Sequence, residues 1–295
     1  MENKLLSTIA ICAFGLSGHL SAQKGFNLQG SFQLSQTAIT GGIKAYEPLI
    51  FAENESYVSL NSSFNIGFET GIAFGYNFND NLGIGIGINY ARQNQFYQPY
   101  FGTETGYVDN EFVRNQYETT RSLSMDYLRN SLVFKFTTNP EKVVSFNAYL
   151  GPYFGVLLSY YDYQTYSQNI RYEFGYWVNV NGSATIYNNT IIYKGSYQSS
   201  FGSDSYDERG TVVTWPYNRF DFGLTTSVGI SINVSPLISI PVMFNNQIGF
   251  LNLKNMSGRY RDSYGTYSYW EGDPNRNITS RNLVNGISTG IRFNF

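Results

Sequence analysis

The sequence predicts an all-β fold, a closed antiparallel β-barrel that spans a membrane, and three observations predict it. First, only 14% of the 295 residues are charged while 18% are aromatic, and so little charge suits a surface that faces an apolar solvent. Second, several segments alternate strictly between apolar and small polar residues, which is typical of strands with two different faces. Third, long and short connections alternate between these segments, as they do in closed barrels that span a membrane.

The N-terminal element, residues 1–22, has the composition of a secretory signal peptide. A lysine precedes a mostly apolar run of 12 residues, and small residues follow up to Ala22, which is the order typical of a cleaved export signal. Cys12 and His19 are the single cysteine and the single histidine of the chain, and both lie in this segment. Cleavage would leave residues 23–295 as one barrel domain without either residue type.

The predicted domain therefore lacks several common catalytic and metal-binding side chains. Without cysteine and histidine there is no thiolate nucleophile, no disulfide, no imidazole metal ligand and no Ser-His pair. The sequence accordingly predicts that the protein is not an enzyme and has no metal or cofactor site. A net charge of -2 also argues against nucleic acid as a partner.

The strands are clearest in residues 64–78, 82–90 and 220–234. In residues 64–78, the even positions are apolar except for one threonine, while the odd positions are glycine, alanine, asparagine or glutamate. Five weaker segments complete a set of eight strands: 26–34, 121–136, 143–159, 237–253 and 281–295. The small residues would face the lumen, where side chains from opposite walls of a narrow barrel compete for space.

The connections determine the predicted topology. The short ones are 79–81, 137–142 and 235–236. The long ones are 35–62, 94–120, 160–216 and 257–279. Eight strands reproduce this order, with short periplasmic turns, long extracellular loops and both termini in the periplasm. Closure of the sheet would also satisfy every backbone polar group in lipid.

The third extracellular loop, residues 160–216, contains a further strand signal. Alternating residues flank Asn181-Gly182, and this arrangement is a strong hairpin signal. The hairpin either extends outside the membrane with Asn181-Gly182 at its outer tip, or adds two spanning strands to make ten. Asn188 and Asn189 favour the external hairpin and eight spanning strands, because one of them would otherwise face lipid. The candidate external recognition surface consists of Tyr172, Tyr176, Trp177, Tyr187 and Tyr193.

Few charged residues fall on the predicted lumen face. They are Glu69, Arg129, Lys135, Asp221 and Arg292. Such side chains could form a selectivity constriction, but eight strands leave only enough room for side chains to fill the interior. A buried ionic network is therefore the favoured interpretation. Glu69 and Arg129 are expected to be partners, because each lies near the middle of its strand.

The chain ends in Ile291-Arg292-Phe293-Asn294-Phe295. A terminal phenylalanine with alternating apolar residues before it, here Ile291, Phe293 and Phe295, resembles the C-terminal assembly signal of bacterial outer-membrane proteins. This resemblance implies that the barrel assembly machinery inserts the chain into the outer membrane, where its wall contacts the membrane lipids.

Three other segments are similar to the PorT-type outer-membrane β-barrel family of Bacteroidetes. They are residues 75–82 (GYNFNDNL), 125–132 (MDYLRNSL) and 149–155 (YLGPYFG). The similarity spans roughly residues 23–295, although this chain has Ser131 where that family usually has proline, and its loops are longer. The resemblance implies a location in the outer membrane. Some members of the family serve a secretion apparatus, so other outer-membrane or secretion proteins are expected among the partners.

Two functional hypotheses remain open. In the first, the barrel is a structural or recognition protein that displays Tyr-rich extracellular loops, as an accessory of an outer-membrane secretion or assembly complex. Tyrosine suits this role because it offers a large amphipathic contact area at a low entropic cost. In the second, the lumen is a narrow channel or transporter for small solutes. Ion conductance across planar bilayers would distinguish the two hypotheses.

Overall fold

The structure is a computed structural model, and it describes residues 24–40, 43–47, 56–138, 140–188, 190–214, 217–253, 259–261, 267–269 and 280–295. The predicted signal peptide at residues 1–22 lies outside the described residues. Among the described residues, no helix is long and apolar enough to cross a membrane.

The described part of the chain is built from β-strands. In chain order they are β1 (Gly25–Thr40), β2 (Ile43–Glu47), β3 (Ser56–Leu60), β4 (Ser62–Ser63), β5 (Asn65–Asn77), β6 (Leu82–Val108), β7 (Glu111–Thr137), β8 (Val144–Tyr172), β9 (Trp177–Tyr187), β10 (Thr190–Ser199), β11 (Gly202–Thr214), β12 (Phe220–Ser235), β13 (Ile238–Gly249), β14 (Arg259–Arg261), β15 (Tyr267–Tyr269) and β16 (Arg281–Asn294).

Eight of these strands close into a ring. The order is β12-β13-β16-β1-β5-β6-β7-β8, and β8 pairs with β12 to complete the circle. Every neighbouring pair in the ring is antiparallel. The predicted eight-stranded antiparallel barrel is thus confirmed, and the alternative of ten spanning strands is wrong.

The wall of the ring has an apolar outer face. Large apolar side chains alternate outward on every ring strand, and each strand contributes at least one that is more than 40% exposed. Examples, one from each ring strand in chain order, are Leu34, Phe74, Ile86, Phe134, Leu150, Ile230, Phe244 and Ile291. Such exposure would be unfavourable in water but is expected of a wall that faces lipid.

Glycines on the inner face of β5 and β6 make room for the side chain of Lys135 from the nearby strand β7. A Cβ atom at Gly85 would lie only 2.5 Å from Cε of Lys135, and one at Gly75 would overlap the Lys135 ammonium group. A larger residue at either position would therefore displace this lysine. The glycine alternation is a consequence of lumen packing, as the sequence predicts.

Three ring strands continue well beyond the length needed to cross a membrane. β6, β7 and β8 have 27, 27 and 29 residues, whereas about 9–11 residues span a bilayer. From the upper part of β8 the sheet continues through β9, β10 and β11. The β-hairpin extension predicted in the third extracellular loop is confirmed, and in the structure it is larger than one hairpin. The prediction that residues 94–120 form a loop is wrong for most of these residues, because they continue β6 and β7. Residues 97–121, 160–188 and 190–214 together are called the outer sheet below.

The turn between β8 and β9 lies elsewhere than predicted. Asn181 and Gly182 are in the middle of β9, so their placement at an outer tip is wrong. The chain instead turns just after Tyr172, where Gly175 has a φ of 89°, a conformation that favours glycine. Gly182 is needed for another reason, because the ring of Tyr166 lies across it where a Cβ atom would be.

Candidate functional site

Arg129 crosses the middle of the lumen. Its Nη1 donates a hydrogen bond to Oε1 of Gln247 at 2.6 Å and lies 3.4 Å from Oε2 of Glu69. The guanidinium also lies 5.4 Å from the ring centre of Tyr127 and 5.3 Å from that of Tyr153. Since Glu69 is on β5 and Gln247 is on β13, these contacts connect three walls of the barrel. The expected partners Glu69 and Arg129 are therefore in contact.

Two neutral hydrogen-bond donors hold the carboxylate of Asp221 close to Arg129 and its partners. The hydroxyl of Tyr153 donates to Oδ2 of Asp221 at 2.9 Å, and the amide of Asn282 donates to the same oxygen at 2.7 Å. Asp221 is fully buried. Because Tyr153 also contacts the guanidinium of Arg129, Glu69, Arg129 and Asp221 form one connected set, which is called the central group below.

Lys135 and Arg292 lie apart from the central group, towards the periplasmic turns. Nζ of Lys135 donates to Oδ1 of Asn27 at 2.9 Å, and Nε and Nη2 of Arg292 donate to Oε1 of Gln29 at 3.1 and 2.9 Å. Both cations lie 5.8 Å from the ring centre of Tyr149. The five predicted lumen charges thus form a central group and a separate pair of cations, called the periplasmic pair, rather than one network.

A second buried ion pair lies where the outer sheet leaves the ring. Nε and Nη2 of Arg121 donate to the carboxylate of Asp162 at 2.9 and 2.6 Å, and the hydroxyl of Tyr217 donates to its Oδ2 at 2.6 Å. Tyr217 lies outside the membrane-spanning segments. Burial, with the negative charge of Asp162 beside it, raises the pKa of Tyr217 well above its ordinary value.

Apolar side chains surround this ion pair and fill the outer end of the lumen. Within the described residues they form one buried cluster of Ile39, Leu60, Ala91, Tyr97, Leu123, Met125, Tyr127, Leu157, Tyr160, Ile186, Tyr217 and Leu253. The cluster includes residues of both the ring and the outer sheet, so the two parts share a core. Tyr127 of this cluster also contacts the guanidinium of Arg129 in the central group.

The sequence analysis misses Asp162 because it ends the strand at residue 159, and a bulge would put Asp162 on the wrong face even if the alternation were extended. Asp126 pairs with Ser159 but Tyr127 pairs with Leu157, so Leu158 is the extra residue. Inward positions are odd-numbered before this bulge and even-numbered after it, which places Tyr160 and Asp162 inside. Arg121 has the same parity as the inward residues of β7. It is also the first residue of the predicted strand 121–136, so extending the alternation to the start of that strand would identify it as an inward charge.

The five aromatic residues proposed as a recognition surface do not form one surface. Tyr172, Tyr176 and Trp177 lie at the outer turn, where the ring of Tyr176 is 5.0 Å from that of Phe201. Tyr187 is at the other end of β9, about 33 Å away for ten residues of strand. Tyr193 packs against the buried cluster. The prediction of a single aromatic surface is wrong, because alternation sends these residues to different faces and ends.

The outward face of the outer sheet is instead lined mostly by uncharged polar residues, with Glu118 and Lys194 as the charged members of the two rows below. Cross-strand pairing aligns two rows over β7–β10. The rows are Glu118-Ser167-Asn181-Ser196 and Thr120-Thr165-Ser183-Lys194. A groove of about 540 Å³ lies along them, with Tyr163 at its side. Hydroxyl and amide groups on four adjacent strands thus face outward together.

The C-terminal residues lie on the lipid-facing side of the last strand. Ile291, Phe293 and Phe295 are 51%, 42% and 51% exposed, and the backbone N–H of Phe295 donates to the carbonyl of Phe26 at 2.8 Å. This position leaves the three side chains accessible on the outer wall. Their role as an assembly signal stays a prediction.

Comparisons with known proteins bear on the barrel. The family model described as "Outer membrane protein beta-barrel domain" matches residues 21–255. The comparison with curated proteins gave no match. Among solved structures, the attachment invasion locus protein Ail of Yersinia pestis is 12% identical, with a TM-score of 0.29 over 92% of this chain and 100% of that chain. The outer membrane protease OmpT of Escherichia coli is 10% identical, with a TM-score of 0.40 over 95% and 99%.

Proposed function

Because this chain belongs to the outer membrane protein β-barrel domain family, we propose that it is a non-enzymatic recognition protein whose barrel anchors the outer sheet outside the cell. The observation that carries this proposal is the continuity of β6, β7 and β8 from the membrane wall into the outer sheet. A loop attached by short hinges would move independently of the barrel. A sheet that shares its strands with the barrel has a fixed position.

Packing within the outer sheet supports a rigid surface. Tyrosine rings lie across glycines of the neighbouring strand at three places, with Tyr117 on Gly102, Tyr166 on Gly182 and Tyr206 on Gly195. These rings fill the space beside the glycines and help to fix the register of the strands. A surface that is already ordered loses little conformational entropy when it binds.

The chemistry of the outward face suits a polar partner. The two rows of hydroxyl and amide groups present many hydrogen-bond donors and acceptors with little charge, and Tyr163 adds an amphipathic ring beside them. Such a surface resembles the polar, adaptable part of a recognition interface. We place outer-membrane or secretion proteins among the partners, with membrane lipids around the wall. The PorT-type role as an accessory of a secretion complex is the specific form of this proposal.

Complementation in the native host tests the proposal. One variant replaces residues 165–210 by a short Gly-Ser turn, and a second carries Ser167→Arg and Asn181→Arg on the outward face. Both should reach the outer membrane as folded barrels but fail to reverse the phenotype that deletion of the gene causes. Glu141→Arg, in a periplasmic turn, is the matched control and should complement fully. Full complementation by both outer-sheet variants would exclude the outer sheet as the functional surface.

A narrow channel is the second candidate function. The observation in its favour is a cavity of about 110 Å³ in the lumen, lined by Glu69, Arg129 and Lys135 among others. Against it, Tyr97 and Tyr127 belong to the cluster that fills the outer end of the lumen. We expect no steady current from the purified protein in planar bilayers. Reproducible single-channel steps would favour the channel over the recognition protein.

A further inference from the structure

We propose that the periplasmic half of the lumen binds a small inorganic anion beside Lys135 and Arg292. The proposal concerns the inside of the barrel and is independent of the outer sheet. It starts from a difference in charge balance. The central group pairs one cation, Arg129, with two carboxylates, those of Glu69 and Asp221, whereas the periplasmic pair consists of two cations.

The periplasmic pair is buried without a counter-charge among the described residues. Lys135 is 6% exposed and Arg292 is 8% exposed. Their contacts in the lumen are the amide oxygens of Asn27 and Gln29 and the ring and hydroxyl of Tyr149. All of these groups are neutral. Burial of a cation is costly unless an opposite charge pairs with it and hydrogen bonds satisfy its donors, so this half of the lumen has two positive charges to be balanced.

An adjacent cavity has room for the compensating ion. It measures about 110 Å³, and Gln29, Lys135 and Tyr149 line its wall. A water molecule occupies about 30 Å³ in the liquid, so the space accommodates a halide or a phosphate-sized ion. Arg292 contacts two of these lining residues, Gln29 and Tyr149. The positive charges and the cavity are therefore parts of one site.

The cavity wall also has unused hydrogen-bond donors. Nε2 of Gln33 is buried and has no partner among the described residues, and the same is true of Nη2 of Arg129. Both residues line the cavity. Glu69 lines it too, but its Oε2 already accepts hydrogen bonds from Arg129 and Gln247. A ligand that only accepts hydrogen bonds and carries negative charge fits this arrangement best.

Bromide serves as the probe for the location of the ion. Crystals of the full-length mature barrel soaked in sodium bromide should show an anomalous peak in the lumen, within contact distance of Lys135 or Arg292. Absence of any lumen peak would overturn the proposal. This measurement uses the unmodified protein, so it remains decisive even if the variants below do not fold.

Thermal unfolding in detergent tests binding in solution. At equal ionic strength, sodium bromide should raise the Tm by about 2–4 °C relative to sodium gluconate, whose anion is too large for the cavity, because a ligand that binds only the folded state stabilises it. Lys135→Met and Arg292→Met should each abolish this difference. Lys194→Met, an exposed site in the outer sheet, should keep it. A lumen peak in the crystal without stabilisation in solution would mean an adventitious ion only, and would overturn the proposal.

Discussion

The ring and the outer sheet are built from the same strands but have opposite polarity. In the ring part of β7, Leu128 and Leu132 face outward and Arg129 faces the lumen. In the outer part of the same strand, Arg114 and Gln116 face outward while Val113 is fully buried on the inner face. The backbone alternation is unchanged along the strand. Only the environment of the two faces differs. In the ring the apolar residues face outward and the polar residues face inward, and in the outer sheet this arrangement is reversed.

This comparison shows how one sheet can serve two solvents. Inside the membrane, the ring closes so that no edge meets lipid, and the polar groups point to the interior. Above the membrane, water satisfies the outward face, and apolar residues collect inside. The buried cluster around Tyr97 and Tyr160 lies at the transition. The rigidity of the outer sheet therefore depends on the barrel below it, because the two parts have a common core.

The largest expected effect compares two ion pairs, one in each region. Glu69 and Arg129 are buried at 3.4 Å, whereas Lys194 and Asp207 in the outer sheet are 3.2 Å apart with side chains 60% and 47% exposed. Arg129→Met should lower the free energy of unfolding by roughly 3–5 kcal/mol, because it leaves Glu69 buried and unpaired. Lys194→Met should cost no more than about 1 kcal/mol.

Urea unfolding in lipid vesicles measures both losses. The double variant Glu69→Gln with Arg129→Met should recover part of the loss, which gives a coupling energy for the buried pair. Additive losses would contradict the assignment of Glu69 and Arg129 as partners. A loss for Lys194→Met as large as that for Arg129→Met would contradict the distinction between the two regions.

The next effect tests the polarity of the outward face directly. Leu132→Arg places a charge on the lipid side of β7 and should cost about 2–4 kcal/mol near the bilayer midplane. Gln116→Arg places an arginine on the outward face of the same strand above the membrane. Because water solvates the side chain there, this substitution should change the stability little. Vesicle unfolding measures the two values side by side. Equal losses would mean that residues 111–121 also lie in lipid.

The fold was predictable from sequence for the ring, up to the level along the strands at which the outward face changes from apolar to polar. In the ring, lipid on one face and a crowded lumen on the other impose the alternation that identifies a strand. In the outer sheet, polar residues face outward and aromatic residues such as Tyr97 and Tyr117 face inward, so an apolar-outward criterion ends the strands too early. Continuous strands therefore resemble strands followed by loops.

Details of the site depend on contacts that local patterns do not contain. Regular alternation places Glu69 and Arg129 inside, and their contact is predictable for that reason. Asp162 is not predictable, because the extra residue Leu158 reverses the parity after it. The Asn-Gly signal at Gly182 is misleading because the same glycine allows the ring of Tyr166 to lie on its strand. A single sequence does not distinguish these two uses of glycine.

A smaller effect concerns glycine packing in the outer sheet. Gly182→Val should displace the ring of Tyr166, which lies where the new side chain must go, and should cost about 1–3 kcal/mol through overpacking. Gly202→Val, where nothing lies within 4 Å of the Cβ position, is the matched control and should be nearly neutral. Differential scanning calorimetry of the two variants in detergent gives the comparison. Equal Tm values would show that the tyrosine-glycine contacts do not stabilise the sheet.

The last effect is confined to alkaline solution and concerns the boundary between the two regions. Burial raises the pKa of Tyr217, so the folded protein keeps this proton above pH 10, where an unfolded tyrosine loses it. The unfolded state then binds fewer protons, and the stability that is fully present below pH 10 decreases as the pH rises further. One such group contributes up to about 1.4 kcal/mol per pH unit.

Tyr217→Phe removes this contribution, so the stability of the variant should fall less steeply with pH than that of the unmodified protein. The variant should be less stable at neutral pH, because Asp162 loses a hydrogen-bond donor. Chemical unfolding between pH 8 and pH 11 measures both slopes. The same slope for both proteins would mean that Tyr217 is accessible to solvent, and that the ring and the outer sheet do not share a closed core.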